Sequence, residues 1–151
     1  DDEKMLNSFI KDFREEFMKL PPEDIAYPRS CNGVEKFRGE SKLFAKGAPI
    51  HVKGAILYNH LLKKDRLDNK YPFIQEGDKI RFLHLRQPNL YQSSAFSFMT
   101  EVPKELDIYD KIDYDEQFEK SFVEPLKVIT EKINWLIDSS YGVQGTLEDF
   151  F

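Results

Sequence analysis

The chain has 151 residues, 40% hydrophobic and 14% aromatic, with 13 Phe and 7 Tyr; this suffices for one compact domain with a core and excludes general disorder despite 32% charged residues. The single cysteine, Cys31, excludes an internal disulfide and suits a reducing compartment, and no uncharged run is long enough to span a bilayer or serve as a signal segment after Asp1-Asp2-Glu3-Lys4. The net charge of −5 is unevenly distributed: residues 28–66 carry nine basic and three acidic groups, residues 1–27 four and eight, and residues 101–151 five and thirteen, a pattern that suits one polyanion-binding face or, more plainly, a solvated charged surface.

Leu6, Phe9, Ile10, Phe13, Phe17 and Leu20 recur at steps of three and four, which predicts an amphipathic helix over 3–20 ended by Pro21-Pro22. Glu23 to Gly47 is broken by Pro28, Asn32-Gly33, Gly39 and Gly47 and reads as loop-rich. Ala48-Pro49 opens a second helix, placed at 49–64, because Pro is favoured in a first turn where its missing N–H is not needed. Ile50, Gly54, Leu57, Tyr58, Leu61 and Leu62 share its inward side, and Lys53, His60 and Lys64 form a basic stripe at the margin. After the turn Gln75-Glu76-Gly77-Asp78, residues 79–86 alternate as a strand with Ile80 and Phe82 inward. Residues 87–112 read as irregular. Tyr114, Phe118, Phe122, Leu126, Ile129, Ile133 and Leu136 mark a long helix kinked near Pro125, and the small residues from Asp138 onward predict a flexible tail. The absence of a Met before Asp1 is read as the mark of a domain cut from a longer chain.

No enzymatic constellation stands out, so no catalytic residue and no metal ligand is assigned. His51, His60 and His84 lack metal-site spacing, Cys31 lacks a His partner, and neither a phosphate-binding Gly-rich loop nor a dinucleotide fingerprint is present. Asp113 and Asp115 could suggest a two-metal nuclease. On a helix, however, they point about 200° apart and suit an acidic first turn. The run Tyr27 to Arg38 is better matched to a sugar-phosphate backbone, with Arg and Lys charges, Ser and Asn side chains, and an Asn-Gly turn whose amides can approach phosphate; an ordinary surface loop tied down by Tyr27 and Phe37 is the alternative. Lys46-Gly47 and the following helix start extend the same idea.

The run Ile25 to Phe37, the run Gly47 to Asn59 containing His51-Val52-Lys53-Gly54, the segment Ile74 to Phe82 and the closing Lys120 to Leu126 together resemble the thumb of T-even-type bacteriophage family B DNA polymerases, over nearly the whole chain. The resemblance implies an α+β, mainly helical thumb over 1–137 and a flexible tail over 138–151. It implies a non-specific grip on primer-template duplex through Ser30, Asn32, Lys36, Phe37, Lys46, Gly47, His51 and Lys53, to which the charge of Arg29 in the same loop is added. The family's palm carboxylates, fingers and exonuclease have no counterpart here. Mg²⁺ is therefore expected in the missing palm, no cofactor is expected in this chain, and the chain alone should add no nucleotides. The implied setting is the cytoplasm of an infected bacterial host.

The last residues fit a sliding-clamp peptide: Gln144, Leu147, Phe150 and Phe151 have the spacing Gln-x-x-aliphatic-x-x-aromatic-aromatic, which turns three apolar anchors to one side of a helical turn. The alternative for this stretch is an apolar terminus folded back on the domain. The partners expected are duplex DNA, a sliding clamp and the remaining polymerase domains. A rival of another class is a free-standing clamp-binding adaptor that also binds DNA weakly.

Overall fold

The helix opened by Pro49 organises the larger part of the fold. In the computed structural model, which describes residues 1–138, the chain divides into a sheet unit, Pro21–Asp113, and a helical unit made of residues 1–20 and 114–138. Helices dominate and one small antiparallel sheet is present, so the architecture is α+β.

In the sheet unit, a one-turn helix α2 (Pro22–Ile25) leads into β1 (Tyr27–Ser30), followed by α3 (Ile50–Lys64), β2 (Lys79–His84) and β3 (Ala95–Phe98). The strands pair in the order β1-β2-β3, with Tyr27 opposite Phe82 and Leu83 opposite Phe96. α3 packs on β3 and β2. Every residue predicted on its inward side is buried except Ile50, which is half-buried, and Val52, Ala55 and Ile56 join them. Gly54 lets the helix settle onto β3: a Cβ there would lie 2.8 Å from the Ser97 amide nitrogen and 2.9 Å from the Phe96 carbonyl carbon. At the same crossing the Ser97 hydroxyl donates to the His51 carbonyl at 2.8 Å.

Two strands lie where the sequence reads as loop. β1 contains Pro28, which an edge strand tolerates because one of its sides needs no ladder donor. β3 is buried at all four positions, so the alternation that betrays a half-buried strand is absent. The predicted strand over 79–86 ends at His84, with Leu85 making an isolated bridge to Ile112. Ile80 and Phe82 are buried as expected, but so are Leu83 and His84, because both faces of this central strand are covered.

In the helical unit, α1 (Asp2–Phe17) is capped by the Asp1 carboxylate, which accepts from the amides of Glu3 at 2.8 Å and Lys4 at 3.2 Å. It ends three residues earlier than predicted, in a turn closed by Lys19 N–H to Glu16 and Leu20 N–H to Phe17. The long C-terminal helix is present but segmented: α4 (Tyr114–Phe118), a π-helical turn (Glu119–Val123), α5 (Glu124–Thr130) and a short 3₁₀ turn (Glu131–Ile133). Pro125 has no amide to donate and its ring would strike the carbonyl one turn earlier; the wider turn before it relieves that conflict. Phe13 is the hub of the unit, with ring centroids 4.7 Å from Phe122 and 5.9 Å from both Phe9 and Phe118. Asn7 holds residues 136–138 beside α1, donating to the Leu136 carbonyl at 3.1 Å and accepting from the Asp138 amide at 2.6 Å. Among the described residues no helix is long and apolar enough to cross a membrane.

Candidate nucleic-acid interface

The residues predicted to meet a sugar-phosphate backbone lie at the end of β1, in the turn after it, and at the start of α3. Arg29 and Ser30 are exposed on the edge strand, and the Arg29 guanidinium lies 4.4 Å above the Tyr27 ring. The His51 imidazole sits beside Ser30 and Arg29, which brings the first turn of α3 to the end of β1. Burial holds its pKa below the ordinary value, the Arg29 charge acts in the same direction, and a hydrogen bond with the Ser30 backbone opposes them. Ser30, Arg29 and His51 thus lie together at the end of β1.

After β1 the chain turns inward. Cys31 is fully buried, exchanging backbone bonds with Asp78 at 2.8 Å and Gly77 at 2.7 Å. Burial pushes its thiol up to about 11, helped by the charges of Glu76 and Asp78, so it stays protonated at neutral pH and acts as a packing residue. Asn32 is exposed. Gly33 adopts φ +112°, and a Cβ there would meet the Phe37 ring at 2.7 Å, so both the conformation and the contact require glycine.

One part of the sequence reading is corrected at this turn. The Gly33 and Val34 amides of the Asn-Gly turn are not open to phosphate: the Glu76 carboxylate accepts from Gly33 N–H at 2.8 and 2.9 Å and from Val34 N–H at 3.0 Å. The nest of amides does bind an anion, but the anion is the protein's own. Phe37 is consequently a wedge under the turn, half-buried, with the Lys36 ammonium 5.2 Å from its ring centroid. Glu76 carried no signal of this role, since it reads as an ordinary turn residue before Gly77.

Beyond the turn, Ala45 N–H to Phe37 at 2.7 Å and a bridge between Arg38 and Phe44 close a small hairpin that delivers Lys46 and Gly47 to the start of α3. Gly47 has φ +85° and nothing within 4 Å of where a Cβ would be, so the backbone is bare there. Lys46 is exposed, and Lys53 is half-buried with its ammonium 6.0 Å from the Phe44 ring centroid. Arg29, Lys36, Lys46 and Lys53 have no carboxylate partner among the described residues, whereas Arg14, Arg38, Lys70 and Lys120 do. These cations are therefore available to a ligand's negative charge. The clamp-peptide residues Gln144, Leu147, Phe150 and Phe151 lie outside the described residues.

Asp115 is held by Arg14 in the helical unit, and the Asp113 amide donates to the His84 carbonyl at 2.8 Å in the sheet unit. Among the described residues no group of three or more His, Cys, Asp or Glu side chains is placed to hold a metal ion.

No protein-family model matches the sequence. Bare cations flanking an edge strand and a helix start make a surface suited to a polyanion, and the curated proteins to which the chain is similar are phage DNA-directed DNA polymerases. The chain is 28% identical over 133 residues to the DNA-directed DNA polymerase of Enterobacteria phage T4, a match covering 85% of this chain and 14% of that protein. It is 29% identical over 140 residues to the DNA-directed DNA polymerase of Escherichia phage RB69, covering 89% of this chain and again 14% of that protein. The resemblance to T-even-type phage polymerases drawn from the motifs is therefore shown along most of the chain, while the chain spans only about one seventh of the length of these relatives.

Proposed function

We propose that this chain is the thumb of a family B DNA-directed DNA polymerase of the T-even phage type, working in the cytoplasm of the infected host. It grips primer-template duplex without regard to sequence, and its terminal peptide ties the polymerase to a sliding clamp. The observation that carries the reading is the similarity to two phage DNA polymerases along 85% and 89% of the chain. Arg29, Lys36, Lys46 and Lys53, without carboxylate partners among the described residues, support it, because phosphate contacts supply most of the affinity in sequence-independent binding. The reaction chemistry, with its Mg²⁺, belongs to a palm outside this chain. Two weak attachments joined in one molecule raise each other's effective concentration, so the role is processivity.

Anisotropy with unrelated duplexes over a salt series tests the grip. Affinity should fall steeply with salt, and Lys36→Ala/Lys53→Ala should weaken all duplexes alike and flatten the slope by about two; salt-independent binding would remove the assignment. For the tail, calorimetry against the sliding clamp of the same replication system should show Phe150→Ala/Phe151→Ala costing about 2 kcal/mol or more, at least about thirtyfold in affinity. Unchanged clamp affinity would remove the tether.

A further inference from the structure

A further feature lies along the 34–47 hairpin. The hairpin, the outer face of α3 and the 73–76 loop enclose an open cleft of about 700 Å³. We propose, building on the nucleic-acid reading above, that this cleft takes an unpaired nucleotide of a DNA strand, with its base on the Phe73 ring and its phosphates on Lys42 and Lys63.

Charge is the first argument. Of the two carboxylates that line the cleft, Glu35 is paired with Arg38 at 2.7 Å, and Glu76 is occupied by the Gly33 and Val34 amides. Lys42 and Lys63 have no carboxylate partner among the described residues, so the cleft presents two free positive charges above an apolar floor that includes Ile56.

The second argument is the ring. Phe73 stays 38% exposed at the edge of the cleft, yet its backbone is fixed on both sides. The Tyr58 hydroxyl donates to the Pro72 carbonyl at 2.9 Å, and the Asn59 side chain pairs with both backbone groups of Ile74, at 2.8 and 2.9 Å. A ring held on rigid backbone beside free cations is the combination that binds single strands, where aromatic faces stack bases and lysines follow phosphates.

The third argument is continuity. Lys53, Ile56, His60 and Lys63 follow one another at steps of three and four along α3, so the stripe from the duplex-facing Lys53 to the cleft covers about 15 Å of helix. A strand leaving the duplex near Lys53 would run into the cleft.

The test uses the full 151-residue chain and three labelled or competing probes: a short oligothymidylate, a blunt-ended hairpin duplex and an oligoglutamate peptide. Lys42→Ala/Lys63→Ala, and separately Phe73→Ala, should lower oligothymidylate affinity at least about fivefold. Hairpin affinity should change by less than about twofold. Phe73→Leu preserves bulk without an aromatic face and should show the same loss at an unchanged melting temperature. Equal losses on both nucleic acids, no loss on oligothymidylate, or oligoglutamate binding with the same dependence on Phe73 would each overturn the proposal. Oligothymidylate binding that depends on Phe73 in a chain that ignores the hairpin would sink the duplex grip and leave the cleft standing. Hairpin binding lost in Lys36→Ala/Lys53→Ala, with oligothymidylate indifferent to all cleft variants, would do the reverse.

Discussion

The two units are held together by different means. The helical unit relies on rings: Phe13, Phe17, Phe118 and Phe122 contact one another edge-on or tilted, with Phe17 and Phe118 centroids 5.1 Å apart. The sheet unit relies on close backbone approach and on side chains that bond backbone, as at Gly54 against Ser97, Asn59 against Ile74, and Glu76 against Gly33 and Val34. Their surfaces differ as well. Residues 21–113 carry fifteen basic and thirteen acidic groups, whereas residues 1–20 and 114–138 carry seven and twelve. The helical unit also leaves Met5, Val128, Ile129 and Leu136 at least 60% exposed. The helical unit thus coheres through ring contacts and the sheet unit through close backbone approach, and the residues argued to meet nucleic acid all sit on the sheet unit.

Substitutions can break this contrast. The largest loss is expected for Phe118→Ala, since a fully buried ring in contact with Phe13, Phe17 and Phe122 is removed: about 3–5 kcal/mol by urea unfolding. Gly54→Val should cost about 2–3 kcal/mol, because the added atoms meet strand backbone that cannot rotate away. If Gly54→Val were neutral, close approach would not be what seats α3. Glu76→Ala should cost about 1–2 kcal/mol by leaving two amides without their acceptor, and should lower duplex affinity although Glu76 itself repels phosphate. A gain in duplex affinity would show instead that the nest serves the ligand.

A smaller effect concerns pH. The folded His51 binds its proton less readily than the unfolded one, so the unfolded chain holds more protons as pH drops below the ordinary value of 6.5; stability should therefore fall on that acid side and be unaffected above it. His51→Gln should remove this component from melts recorded across the range. Smallest of all, Ile129→Thr on the exposed side of α5 should change stability by no more than about 0.5 kcal/mol.

The elements legible in the sequence were those with a repeating period or a strong punctuator. α1, α3 and the segmented C-terminal helix announced themselves through spacing, and Pro49 marked the start of α3 to within one residue. β1 and β3 did not, because a four-residue edge strand containing Pro and a four-residue strand buried at every position both lack alternation. Of the candidate site, Ser30, His51, Lys36 and Lys53 were named by motif resemblance and Arg29 by its charge in the loop, but that Arg29, Ser30 and His51 lie together could not be read, since it joins two separate segments. The capture of the Gly33 amide by Glu76 could not be read, since it joins residues 43 apart in the chain. The cleft at Phe73 was hidden for the same reason: its walls come from three separate segments.

The carboxylate in the Gly33 nest has a thermodynamic consequence. On the proposed duplex-binding reading, a loop shaped by its own internal anion is pre-organised, so little conformational entropy would remain to be lost on contact. Association at this face should then proceed in a single phase close to the rate set by electrostatic encounter, and weakening by salt should appear mainly as slower arrival. On the proposed duplex-binding reading, contact at this loop would be broken and re-formed along a duplex without refolding anything.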